Sequence, residues 1–298
     1  MGVRWICAAL MISGAFTACG GTEEGSPDTE PESIAERATE SPTSESEASS
    51  PAEDEEEAAS RAANLAAMQE ARDEALAVVK RVSDFLAEQE HFRARAVIAF
   101  DVLQATGQML EFGGERTATV RRPDRLRLEG SNRNGGKRTV LFDGTSITMV
   151  FPDENAYASV ERPGNLDQAL DYMVDDLDAP LAMADLLYED LYSSVSQNIE
   201  FGLVVGDSLI GERPCDHIAV SSESLDVQMW VEQGERPLPA RIVLTHKLEE
   251  GRPQYRALLE WELDPETPDS LFAYSPPEGA ERLTVRAIDA GEAGEETE

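Results

Sequence analysis

Between Asn64 and Glu90 the apolar residues Leu65, Met68, Ala75, Leu76, Val79, Val82, Phe85 and Leu86 return near the spacing of one helix face, with charged residues between them. That period predicts an amphipathic helix laid on a sheet. The period then changes to two. Phe92, Ala94, Ala96, Ile98, Phe100 and Val102 mark a strand with one buried side, and Met109 to Val120 forms the next, interrupted by Gly113-Gly114. A glycine pair inside a strand predicts a bulge or sharp bend, which would curve the sheet.

From Val120 to Tyr157 the alternation is punctuated by turns. Leu126 and Leu128 share one face of a strand, and Arg125, Arg127 and Glu129 share the other. Asn134, Gly135 and Gly136 predict a turn, and Val140 to Phe142 and Ile147 to Phe151 are two more apolar β runs. Asp143-Gly144 between them is a dipeptide that supplies the positive φ of a tight hairpin. Pro152 to Asn155 closes the next turn before a short strand at Tyr157. The product is an antiparallel meander.

After Val160 helical spacing returns. Asn165 is a cap for a helix in which Leu166, Ala169, Leu170, Met173, Val174 and Leu177 form one stripe. Pro180 to Val195 offers a second helix with Met183, Leu186, Leu187, Tyr188, Leu191 and Tyr192 on its apolar side. Five strands follow: Phe201 to Ile210, His217 to Ser221, Val227 to Glu232, Ala240 to His246 and Tyr255 to Leu263. Pro276 and Pro277 are expected to stop the last folded piece. The whole predicts an α+β fold, a curved antiparallel sheet with helices over its concave face.

The two ends of the chain read differently. Met1 to Cys19 has one positive charge at Arg4, an apolar run from Trp5 to Ala18 too short to span a bilayer, and small residues before Cys19. This predicts a secretory signal. Phe16-Thr17-Ala18-Cys19 resembles a bacterial lipobox, with Phe16 where Leu is usual, and that resemblance implies lipidation of Cys19. The alternative is an ordinary cleaved signal. Gly20 stands where an aspartate would imply retention at the inner membrane, so the outer membrane is expected.

Residues 20–62 are rich in Ser, Pro, Thr and Glu. Gly20 to Ser60 alone holds fourteen acidic residues against one arginine, and such a segment buries too little apolar surface to offset its ordering entropy. A disordered acidic tether is expected over 20–62, one globular domain over 63–289, and a second acidic tail over 290–298. The chain's net charge of −34 argues against nucleic acid as a partner and against lying flat on anionic lipid.

Candidate chemistry is sparse. Cys7 leaves with the signal and Cys19 is taken by lipidation, so Cys215 has no disulfide partner. Cys215 and His217 share a strand face two residues apart, which raises a nucleophile pair or a metal site. Neighbours at that spacing seldom reach catalytic geometry, and buried free cysteine is a common core residue. His91, His217 and His246 show no metal-ligand spacing, and no phosphate loop or serine elbow is present. No catalytic residue, metal or cofactor is therefore assigned.

Three runs carry a family likeness: Val120-Arg-Arg-Pro-Asp-Arg-Leu-Arg127, Phe142-Asp-Gly-Thr-Ser-Ile147 and Pro152-Asp-Glu-Asn155. In order and spacing they resemble the bacterial outer-membrane lipoprotein carriers of the LolA type. A family of predicted periplasmic proteins with the same half-barrel is more similar still, from about Glu74 to Leu283, including Pro214-Cys215-Asp216-His217 and Leu271 to Ala280. The carrier resemblance implies a cavity for acyl chains beneath a helical lid. It also implies that Arg122, by its place before Pro123, latches the lid through hydrogen bonds, a task that suits a permanently charged guanidinium.

The expectation is thus a non-enzymatic envelope lipoprotein, facing the periplasm and binding a lipid or the acyl chains of a protein. Its candidate lining is Phe100, Leu126, Leu128, Val140, Phe142, Ile147, Met149 and Phe151 from the sheet, with Leu170 and Met173 from the lid. A different class stays open: a periplasmic interaction or sensor module whose half-barrel is filled by its own side chains. A hydrolase using Cys215 or His217 is the third.

Overall fold

The computed structural model describes residues 51–177, 181 and 183–285, with side chains from residue 57 onward. The signal segment, Cys19, most of the expected tether and the acidic tail lie outside the described residues.

The first helix starts earlier than its apolar stripe. α1 spans Pro51–Ala87, so residues 51–62, read above as tether, are helical. The cause is local: the run is dominated by Ala and Glu, strong helix formers, with Pro at the first position and acidic residues near the positive end of the helix dipole. The buried stripe, conversely, starts later. Leu65 and Met68 are exposed, at 61% and 47%, and burial begins at Ala75. Arg72 Nε donates to the Ile199 carbonyl at 2.9 Å, and a Cβ at Gly202 would lie 3.2 Å from both Arg72 Cα and Ala75 Cβ. The helix therefore crosses an outermost strand at Gly202, and residues before Arg72 have no sheet to cover.

Eleven strands form two antiparallel meanders. The first is β1 (His91–Leu103), β2 (Met109–Arg121), β3 (Arg125–Asn132), β4 (Lys137–Phe142), β5 (Ser146–Phe151) and β6 (Ala156–Glu161). The second is β7 (Phe201–Ile210), β8 (Arg213–Ser221), β9 (Leu225–Glu232), β10 (Pro239–His246) and β11 (Gln254–Leu263). Antiparallel pairing of β1 with β11 joins them. Pro276-Pro277 does not end the folded part: β12 (Glu281–Leu283) adds parallel to β6. The result is one open twelve-stranded sheet in the order β12-β6-β5-β4-β3-β2-β1-β11-β10-β9-β8-β7, with helices on one face. This is the expected α+β half-barrel class.

The turns follow their residues. Gly135, Gly136 and Gly144 take positive φ, and Asn155 closes its turn at φ 48°. The Gly113-Gly114 pair makes no bulge, since β1–β2 pairing runs unbroken through it. Its role is close approach, because a Cβ at Gly114 would meet the Ser131 carbonyl oxygen at 2.0 Å and one at Gly113 the Ile98 oxygen at 2.5 Å.

The cover over the second stretch of sheet is more broken than its stripes predict. α2 (Leu166–Asp171) opens with a full capping box between Asn165 and Gln168 and passes into a single π-type turn, Tyr172–Asp176. In place of one helix over 180–195 there is a 3₁₀ turn, Ala184–Leu187, and then α3 (Leu191–Ser196). Tyr188 is extended at ψ 150°, and the Asp190 side chain accepts from Ser193 N, starting a new helix after it.

Candidate functional site

Register settles which side chains share a face. Leu126 pairs with Phe142 and Leu128 with Val140. Phe142 pairs with Ile147 and Val140 with Met149. Val120 pairs with Leu126 and with Phe92, whose strand carries Phe100 at the same parity. Directly paired residues project to the same side of a sheet, so all eight sheet candidates face the helices.

They do not form one group. Leu126, Phe142, Ile147, Leu170 and Met173 are buried in one apolar cluster, with Leu128 and Val140 half-buried against it. Phe100 belongs to a second cluster, beneath α1 with Leu76, Val79, Val82 and Leu86. Met149 and Phe151 are half-buried outside both, Phe151 lying 4.8 Å beneath the Arg138 guanidinium. Trp261 and Leu263 bridge the two clusters. Consecutive Leu186 and Leu187 divide between them. Register, unavailable from sequence, is what separates these groups.

Arg122 stands where β2 turns toward β3, under the broken cover. Its Nη2 donates to the Tyr188 carbonyl at 3.2 Å, and its guanidinium carbon lies 5.8 Å from the centre of the Phe92 ring. Its Nε is buried with no hydrogen-bond partner among the described residues. Burial pushes the guanidinium below its ordinary range, and Asp167 and Glu189 oppose that shift. Burial likewise pushes the Asp167 carboxyl up, against the Glu189 amide and Arg122. The same corner holds two more ties: the Tyr188 hydroxyl donates to Asp171 Oδ1 at 2.9 Å, and Glu189 N donates to Asp167 Oδ1 at 3.2 Å. Asp167 and Asp171 are not among the candidates read from the sequence. In the sequence they are two acidic residues on the polar side of a helix.

Cys215 and His217 lie on the opposite, outer face. Cys215 is fully buried in a small cluster with Trp230, Ala240 and Val243. Its Sγ points to the Arg213 carbonyl at 3.4 Å, and burial pushes its thiol up, away from thiolate. His217 stacks on Trp230 with centroids 4.1 Å apart, and its Nε2 sits 3.2 Å from Gln228 Oε1. Each partner is occupied elsewhere. Among the described residues no three His, Cys, Asp or Glu side chains gather as a metal site, and no helix is long and apolar enough to cross a membrane.

An open sheet with one helix-covered apolar face and a short, polar-tied cover defines an α+β half-barrel. The chain belongs to the family of predicted periplasmic proteins DUF2092, whose model matches residues 75–286. Among solved structures it is similar to the Mycobacterium tuberculosis lipoprotein LppX, at 11% identity over 65% of this chain and 98% of that one, with a TM-score of 0.38. A LolA superfamily protein from Nitrosomonas europaea matches at 11% identity over 67% and 97% of the two chains, with a TM-score of 0.33. MucB, in complex with MucA(peri), matches at 16% identity over 67% and 59%, with a TM-score of 0.35. No curated protein matches the chain in sequence.

Proposed function

We propose that this protein is a non-enzymatic, lipid-anchored envelope protein facing the periplasm that takes a hydrophobic ligand, a lipid or the acyl chains of a protein, between β2–β5 and the cover from Leu166 to Leu191. The observation that carries the reading is the convergence of Leu126, Leu128, Val140, Phe142, Ile147, Leu170 and Met173 in one apolar cluster beneath a cover of short pieces. Arg122 acts as its latch through the Tyr188 carbonyl. Burying about ten methylenes of an acyl chain would contribute on the order of 8 kcal/mol before ordering costs. Anchoring at Cys19, favouring the outer membrane, would hold the site at the surface where such ligands reside.

A second reading has its own support. Leu126, Phe142, Ile147 and Leu170 are each 0% exposed, as in a face filled by the protein's own side chains. An interaction module with a protein partner would have that character. Native mass spectrometry of the full mature chain, followed by organic extraction, separates the two. A lipid-sized mass that leaves on denaturation is the expected result. A clean apo mass with no uptake of a fluorescent fatty acid would overturn the carrier reading in favour of the filled module.

A further inference from the structure

The outer face of the sheet carries ion pairs over most of its middle, among them Arg93–Glu262, Arg95–Glu115 and Arg127–Glu129. Over β5 and β6 its chemistry changes. The outward positions there pair as Ser146 with Glu161, Thr148 with Ser159 and Val150 with Tyr157. Apart from Glu161 at the end of β6 and apolar Val150, these positions carry hydroxyls and a phenol ring in place of charge.

Across this patch runs the segment between β11 and β12, pinned on both sides. His91 Nδ1 lies 2.6 Å from Thr267 Oγ1, Arg121 Nη1 donates to the Thr267 carbonyl at 2.8 Å, and Arg127 Nη1 donates to the Leu271 carbonyl at 3.1 Å. Arg121 also pairs with Asp269. Phe272 is 1% exposed. At the far end Asn155 Nδ2 donates to the Gly279 carbonyl at 3.0 Å, and Glu281 N donates to the Asn155 carbonyl at 2.9 Å. Between the two attachments the strap stands off the sheet and leaves a half-open cleft of about 280 Å³.

The contents of that cleft point to one ligand class. Thr148 Oγ1 and Ser159 Oγ lie 2.9 Å apart and share one hydrogen bond, which leaves their remaining lone pairs to a ligand. Tyr157 and Tyr274 meet with centroids 5.4 Å apart at 53°, giving a ring surface beside the hydroxyls. The Arg282 guanidinium, which also lines the cleft, has no ion pair or hydrogen bond among the described residues. The lining is too rich in hydroxyls for an acyl chain, offers no metal cluster, and belongs to a chain of net charge −34 that repels polyanions. We propose that this cleft binds a neutral saccharide. A sugar ring stacks its C–H face on the tyrosines while its hydroxyls exchange hydrogen bonds with Thr148, Ser159 and the Tyr157 hydroxyl and accept from Arg282; the Ser146 hydroxyl is already bonded to the Asp143 carboxylate, which also lines the cleft. This site lies on the opposite side of the sheet from the acyl site and does not rest on it.

Saturation-transfer NMR on the full mature chain tests this, with two probes: the tetrasaccharide of N-acetylglucosamine, and maltotetraose. The wild type is expected to bind at least one of them with a Kd of about a millimolar or tighter, and Tyr274→Ala and Arg282→Leu should each weaken it by about tenfold. Tyr157→Phe, which removes only a hydroxyl, should weaken it by about threefold. Uptake of a fluorescent fatty acid should be the same in all of them. No transfer to either probe overturns the proposal, as does binding that Arg282→Leu leaves unchanged. If Tyr274→Ala loosens the strap and lowers the melting temperature, Arg282→Leu decides alone, because Arg282 is exposed and holds nothing in place.

Discussion

The covered face of the sheet is closed in two different ways. Over β8–β11 the cover is dominated by the continuous helix α1, with Ala75, Val82 and Leu86 each 0% exposed, and α3 packs Leu191 and Val195 beside it. Over β2–β5 it is assembled from a six-residue α2, a five-residue π turn and a four-residue 3₁₀ turn. A long helix satisfies its own backbone and adds one apolar stripe to the core. Pieces of one or two turns have little stability of their own, so caps, side-chain ties and apolar contact must hold them. The second half carries those devices: the Asn165 capping box and the Arg122, Asp167 and Asp171 ties around Tyr188 and Glu189. Segments closed in this manner open at lower free-energy cost than a helix packed along its length, so the two halves suit different tasks. On the proposed function, one serves as scaffold and the other as entrance.

An identical insult placed on each half tests that contrast most severely. Val82→Asp puts a carboxylate at a fully buried position of α1, and the helix offers no way to expose it. The expected loss is on the order of 4 kcal/mol, read from urea unfolding. Leu170 is equally buried, yet Leu170→Asp should cost roughly half as much, because a cover of short pieces can swing out and hydrate the charge. Equal losses would mean that the two covers are equally rigid, and the division into scaffold and entrance would fall.

Arg122 sharpens the comparison at a smaller scale. Replacing it with leucine removes the donor to Tyr188, a charge-assisted bond of the kind that contributes about 1.5–3 kcal/mol. The same change relieves a partly desolvated guanidinium whose Nε has no partner. Global stability should therefore change by less than about 1.5 kcal/mol, while the amides of Tyr188–Leu191 exchange about tenfold faster. Hydrogen exchange that leaves this corner unchanged would reduce Arg122 to a bystander.

Much of this was legible in the sequence because period and punctuation carry it. The first meander was bounded by Asn134-Gly135-Gly136, Asp143-Gly144 and Pro152–Asn155, and each turn forms where those residues demand it. All five strands of the second meander were placed, within a few residues. The errors share a cause, which is that tertiary surroundings decided them. Leu65 and Met68 continue the apolar stripe in sequence, but the sheet ends at β7 and leaves them uncovered. Gly113 and Gly114 looked like a bulge, and only the neighbouring carbonyl oxygens reveal why a side chain is excluded there. The stripe from Pro180 to Val195 has helical spacing, and the capping side chain of Asp190 divides it. The candidate lining residues had the right parity, yet the split of Phe100 from the others depends on which strands lie side by side.

The outer face repeats the contrast in a milder form, and pH reads it. Over the same half of the sheet, the strap before β12 is held partly by the exposed pair between Arg121 and Asp269. The hydrogen bond and charge of Arg121 hold the Asp269 carboxyl below its ordinary value of 3.8. A carboxyl whose pKa is lower in the folded state stabilises that state fully above the unfolded pKa, and the contribution is lost as pH falls through the folded value. The strap should therefore loosen in the window below about pH 4, visible as lower protection factors at Leu271 and Phe272, whose amides otherwise bond to Pro268 and Asp269. Solvent screens this pair, so the effect is the smallest of the series. Asp269→Asn should abolish the pH dependence of those protection factors in the strap while leaving the cover over Arg122 unaltered. Loosening of the cover in the same window would show that the strap and the cover move as one body across the sheet.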